Sequence, residues 1–102
     1  MAGVDPVDVD ILMVATVTPA VPLPATACLL QDTLKARRAA AFDIGAGCSG
    51  FIYGLAVADG LIRNSTARII LLVGADCLSK IVNWKDRNTC VLFGDGAGAV
   101  VL

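Results

Sequence analysis

Cys48 lies in the stretch Gly45-Ala46-Gly47-Cys48-Ser49-Gly50, between the apolar segment Ala39-Ala40-Ala41-Phe42-Asp43-Ile44 and a long run of small and apolar residues. A strand, a glycine-flanked cysteine and a helix in succession outline a nucleophile elbow. Small residues let the backbone turn sharply and let a substrate approach the sulfur. A thiol at the first turn of a helix meets free backbone N–H groups and the positive end of the macrodipole, both of which favour thiolate. The same N–H groups are candidates for an oxyanion hole when a thioester carbonyl is attacked. A buried, inert thiol is the other reading, since that is what most free cysteines are; spacing alone leaves both open. Cys28, Cys77 and Cys90 lack the elbow setting and are expected to be inert.

The cysteines are spaced by 20, 29 and 13 residues and histidine is absent, so no zinc site is expected. Gly94-Asp95-Gly96-Ala97-Gly98 has the glycine content of a dinucleotide loop. Such a loop must follow a strand and open a helix, however, and this one precedes a strand. Its expected role is structural, the glycines letting the backbone pass beside the active site.

Those residues need a scaffold. Val9 to Thr16 carries the unbroken apolar run of a strand buried on both faces. The prolines between Thr18 and Pro24 keep that segment extended, and a helix is expected to start near Pro24 and run through Leu34. Lys35, Arg37 and Arg38 follow where cations suit a helix C-terminus. A short strand over Ala39–Ile44 leads into the cysteine turn, and a helix is expected from about Ser49 to Arg63. That helix has few polar positions on any face, which predicts burial all round. Gly50, Gly54 and Ala58 recur every four residues and form a smooth flank, read as the seat of another helix. Ala67 to Gly74 is a second buried strand, Asp76 to Asn88 is polar and irregular, and Ala99–Leu102 is a final strand. Strand, helix, strand, helix, strand, strand is an α/β layered fold with a mostly parallel sheet, here a single domain spanning residues 1–102.

Composition sets limits on function. With 57 % apolar and 17 % charged residues in 102, the chain is more apolar than an ordinary soluble domain of this size. The excess points to faces meant to be covered by other protein. The apolar stretches are strand-sized, too short to span a membrane, and the N-terminus lacks the features of a signal peptide. A net charge of −1 without basic clusters offers nucleic acid no footprint. Reduced thiols in a cytoplasmic setting are the expectation.

Two stretches carry a family resemblance. Ala41-Phe42-Asp43-Ile44-Gly45-Ala46-Gly47-Cys48-Ser49-Gly50-Phe51 resembles the active-site signature of 3-ketoacyl-acyl-carrier-protein synthase III, a thiolase-fold condensing enzyme. Asp86-Arg87-Asn88-Thr89, followed by Phe93-Gly94-Asp95-Gly96-Ala97-Gly98-Ala99, resembles that family's second characteristic stretch at the expected separation. The resemblance runs from about Val9 to Leu102. It implies that Cys48 takes an acyl group from acyl-CoA and that this group is condensed with malonyl-acyl-carrier protein, losing carbon dioxide and starting fatty-acid synthesis. Coenzyme A thioester is then a substrate and no cofactor is implied. Arg87 falls where the family stacks an arginine on the adenine of coenzyme A. Leu23 falls where the family often has a phenylalanine reaching into the acyl pocket of the partner in a homodimer. Leu78 and Phe93 resemble pocket-lining positions, and each also suits an ordinary core.

The family draws a histidine and an asparagine from its second half, and this chain has no histidine. The resemblance therefore implies a partial thiolase-like domain, without the family's first strand and helix or its second half, and inactive alone. It also places the absent first strand between the strand at Ile11 and the strand at Ile69. An acyltransferase of polyketide or other secondary metabolism shares these motifs. A non-catalytic pairing subunit is the reading of a different class, and the intact Cys48 elbow speaks against it.

Overall fold

The computed structural model describes residues 3–102. The chain runs through β1 (Ile11–Ala15), α1 (Thr26–Leu34), β2 (Ala40–Ile44), α2 (Gly50–Arg63), β3 (Ile70–Cys77) and β4 (Asp95–Val101). The sheet order is β2-β1-β3-β4. The first three strands are parallel and β4 is antiparallel to β3.

All five residues of β1 are buried, because this strand is central and covered on both faces. Alternation along it divides the core. Leu12 and Val14 pack with Val9, Ala27, Ala36 and Ala39 on the α1 side. Ile11 and Met13 pack with Ala58, Ala67, Ile70 and Leu72 on the α2 side. Crossovers between parallel strands are right-handed as a rule, so the two that leave β1 and β2 in opposite directions along the sheet set α1 and α2 on opposite faces, giving three layers.

Three expectations are corrected. No strand separates β1 from the strand at Ile70: the two are paired directly, Ile11 opposite Ile70 through Ala15 opposite Gly74. An absent strand therefore does not belong at that place, and the free edges of this sheet are β2 and β4. The small-residue flank of α2 seats the sheet, not another helix. Gly50, Gly54 and Ala58 are buried, and a Cβ at Gly54 would stand 2.6 Å from Leu72 Cδ1. Finally, α2 is not covered all round, for Ile52, Tyr53 and Val57 on its outer side are exposed.

Element boundaries shift for local reasons. Helix α1 begins at Thr26, two residues past Pro24, and the Leu23–Pro24 peptide is cis. It ends at Lys35, which takes the left-handed conformation with φ 59° and donates its N–H to the carbonyls of Asp32 and Gln31. Strand β3 continues past Gly74 to Cys77 because β4, starting at Asp95, pairs with it that far.

Candidate active site

Helix α1 has no capping side chain of its own at Ala25. Its first N–H groups are taken instead by Asp43 on β2, which accepts from Thr26 N and Ala27 N at 2.7 Å each. Asp43 thereby ties the end of β2 to the start of α1, five residues before Cys48. From there Gly45 and Ala46 lead into a single 3₁₀ turn, Gly47–Ser49, that runs straight into α2. Gly47 has φ +55°, a left-handed conformation that disfavours any side chain. Cys48 is consequently presented at the head of α2 with its side chain exposed.

The thiol opens into a cavity of about 480 Å³, lined by Ala15, Gly47, Cys48, Phe51, Gly74, Ala75, Asp76 and the segment Gly94–Gly98. These positions are carboxyl ends of parallel strands plus the incoming end of β4, where open α/β sheets hold their ligands. Phe51, one turn after the cysteine, lies over Gly74, where an added Cβ would come within 3.0 Å of the ring. The glycine-rich segment opens no helix: Gly94 leads in, Asp95–Gly98 forms the first half of β4, and the segment lines the same cavity as Cys48.

Two carboxylates in the cavity wall organise the surrounding loops. Asp76 accepts the Val17 N–H at 2.8 Å and the hydroxyls of Thr16 and Thr18 at 3.2 and 3.4 Å. The Thr18 hydroxyl in turn accepts the Cys77 N–H at 2.7 Å, so the loop leaving β1 is stitched to the end of β3. Asp95 accepts the Ser79 hydroxyl at 2.7 Å, the Ser79 N–H at 2.8 Å and the Cys77 thiol at 3.2 Å. Those donors, the Ser79 hydroxyl foremost, hold its carboxyl below the usual carboxylate range. The sequence singled out none of Asp43, Asp76 and Asp95 as functional.

The other expected site residues are not gathered around Cys48. Leu78 and Phe93 line a second cavity of about 270 Å³, together with Ile81, Val82, Asn83 and Thr89. Arg87 is exposed on the loop between β3 and β4 and lines neither cavity. Its loop is folded by Asp86, whose side chain accepts from the Thr89 hydroxyl and from Asn88 N at 3.0 Å. Leu23 is 84 % exposed, on the loop before α1. Among the remaining thiols, Cys90 is buried, Cys28 donates to the Ala41 carbonyl at 3.7 Å, and Cys77 is engaged by Asp95. Among the described residues, no group of three metal-ligating side chains converges and no helix is long and apolar enough to cross a membrane.

A cysteine on a strand–turn–helix elbow, at the carboxyl ends of a mixed sheet sandwiched by helices, defines a thiolase-like architecture. Comparison with known proteins narrows the class. The family described as 3-Oxoacyl-[acyl-carrier-protein (ACP)] synthase III matches residues 42–102. A β-ketoacyl-[acyl-carrier-protein] synthase III of Caldanaerobacter subterraneus is 59 % identical over 99 % of this chain and 30 % of its own length. The crystal structure of 3-oxoacyl-[acyl-carrier-protein] synthase III from Aquifex aeolicus superposes with a TM-score of 0.94 at 54 % identity, over 96 % of this chain and 32 % of that one. A priming β-ketosynthase from a polyketide pathway also gives 0.94, at 36 % identity over 98 % and 30 % of the respective chains. This chain belongs to the 3-oxoacyl-[acyl-carrier-protein] synthase III family, and it spans about 30 % of the length of the curated relatives.

Proposed function

We propose that these residues form part of a longer condensing acyltransferase in which Cys48 is the acyl-accepting nucleophile. The observation that carries this reading is the exposed thiol at the head of α2, opening into the cavity at the strand ends. The Cys48 sulfur attacks the carbonyl of an acyl-CoA, the carbon–sulfur bond to coenzyme A breaks, and coenzyme A leaves as its thiol with the proton from Cys48. In the second half-reaction malonyl-acyl-carrier protein loses carbon dioxide. The resulting carbanion attacks the acyl carbon on Cys48, forms the new carbon–carbon bond and returns the cysteine.

Proton handling and enolate stabilisation in that step fall to the histidine and asparagine of the family's second half, so this chain by itself is inactive. Leu78 and Phe93 supply apolar wall for the acyl chain, Leu23 reaches the acyl pocket of the partner in a homodimer, and Arg87 contacts the adenine of coenzyme A. The substrates are acyl-CoA and acyl-carrier protein, no cofactor takes part, and the setting is cytoplasmic.

The higher identities to synthase III relatives favour fatty-acid initiation. The equal TM-score of the polyketide priming enzyme supports a second reading, in which the same chemistry primes a polyketide. The test is incubation of the full-length enzyme with acyl-CoA, followed by mass spectrometry of its cysteine peptides. Acylation at Cys48, lost in Cys48→Ser, is expected; acylation at Cys77 or Cys90 in its place refutes the assignment.

A further inference from the structure

Cys77 faces Asp95 in the last pair of the β3–β4 ladder. Beyond that pair the chain turns through Leu78–Lys80, and the Ser79 N–H no longer has a strand opposite it. The Asp95 carboxylate takes over: one oxygen accepts the Ser79 N–H, and the other accepts the Ser79 hydroxyl and the Cys77 thiol. The residues on either side of Leu78 are thus both bound to one side chain. That side chain belongs to the wall of the Cys48 cavity, whereas Leu78 belongs to the wall of the second cavity. The same turn carries the Ser79 carbonyl, which accepts the Trp84 indole N–H at 3.2 Å and so fixes the loop beyond it.

We infer that Asp95 is a positioning residue for acyl-chain selectivity, holding the Leu78 wall of the second cavity in register with the cavity that contains Cys48. The inference rests on the reading of Cys48 as acyl acceptor and deepens it. Two acceptor oxygens are needed to satisfy three donors in this arrangement, and an amide offers one. Asp95→Asn therefore frees the turn while nearly preserving volume, and the Leu78 side chain gains room to move. A looser apolar wall discriminates less between chain lengths, since a single methylene in a well-formed pocket is worth roughly 10-fold or more in rate.

The experiment measures kcat/KM of the full-length enzyme for acetyl-CoA and for hexanoyl-CoA on the same sample, with Cys48 acylation followed by mass spectrometry. A substitution that merely unfolds part of the enzyme lowers both values alike and leaves their ratio fixed. Asp95→Asn should move the ratio toward unity by about threefold or more, and Asp95→Glu, which restores both oxygens, should recover part of the shift. Ser79→Ala removes one of the three donors from the other side. It should move the ratio in the same direction by less, and it serves if Asp95→Asn does not fold. An unchanged ratio in these variants with Cys48 still acylated overturns the inference alone. Absence of acylation at Cys48 in the unsubstituted enzyme overturns it together with the reading on which it rests.

Discussion

Substituting Gly54 by Ala sets two effects of known sign against each other. Alanine is the better helix former by about 1 kcal/mol in a helix interior. The new methyl, however, would stand 2.6 Å from Leu72 Cδ1 and 3.2 Å from Cδ2. The atoms it meets are the end of the Leu72 side chain, which is fully buried beneath α2, so relief requires that side chain to turn within the core or the helix to shift. Overpacking of this kind costs about 1–3 kcal/mol. The difference leaves Gly54→Ala destabilising by about 0–2 kcal/mol, a range too near zero to decide anything by itself.

A double-mutant cycle with Leu72→Val decides it. Valine lacks both δ carbons, so the obstruction disappears and the helix-propensity gain stands alone. In that background Gly54→Ala should stabilise by up to about 1 kcal/mol, giving a coupling of about 1–3 kcal/mol between the two positions. Urea unfolding of the four full-length proteins, followed by circular dichroism, measures it. Independent sites add to within about 0.5 kcal/mol, so a coupling below that refutes the claim that the glycine row exists to let the sheet approach.

Other outcomes follow from the same geometry. Asp10 accepts N–H groups of Arg68 and Ile69 at 2.8 and 3.1 Å, and these bonds, Arg68 first, hold its carboxyl below the usual range. Its contribution to stability is present above the ordinary aspartate value of about 4 and is lost as pH falls through the lowered folded-state value. Asp10→Asn should therefore be less stable than the unsubstituted protein at pH 7 in denaturant titrations, and the gap should narrow in acid; a gap that widens there refutes the assignment. Arg87→Ala should raise KM for acyl-CoA with kcat nearly unchanged, the pattern of lost uniform binding, whereas a fall in kcat at constant KM would assign Arg87 to loop structure. The 102-residue chain made by itself should self-associate in light scattering, because β2 and β4 are free edges and Ile52, Tyr53, Ile81, Trp84 and Leu92 are exposed. A monodisperse monomer would contradict this.

The buried strand at Ile11, the elbow and the extent of α2 were legible in the sequence because each has a local signature. An apolar run needs cover on both faces, and glycines around a cysteine permit a sharp turn. What approaches the small row of α2 was not legible. Small residues declare that something comes close, and a sheet and a helix satisfy them equally. Strand order failed for a related reason: the pairing of Ile11 with Ile70 is made across 59 residues and leaves no trace at either position. Asp43 could have been found. It is a half-buried carboxylate in an otherwise apolar strand, and a carboxylate there requires donors. The helix lacking a capping residue at Ala25 was in want of an acceptor.

The long-range tie made by Asp43 also bears on how the chain acquires its shape. At nine residues, α1 is too short to persist in isolation, and the acceptor for its first N–H groups lies 17 and 16 residues downstream. The cap of the helix is therefore completed only with β2 in place, and helix and strand are expected to open as one cooperative unit. In native-state hydrogen exchange the amides of Thr26 and Ala27 would open together with the β1–β2 ladder and not as a fraying helix end. The loop bearing Leu23 and the turn bearing Cys48 adjoin that unit at its two chain ends, which the Asp43 bonds hold together.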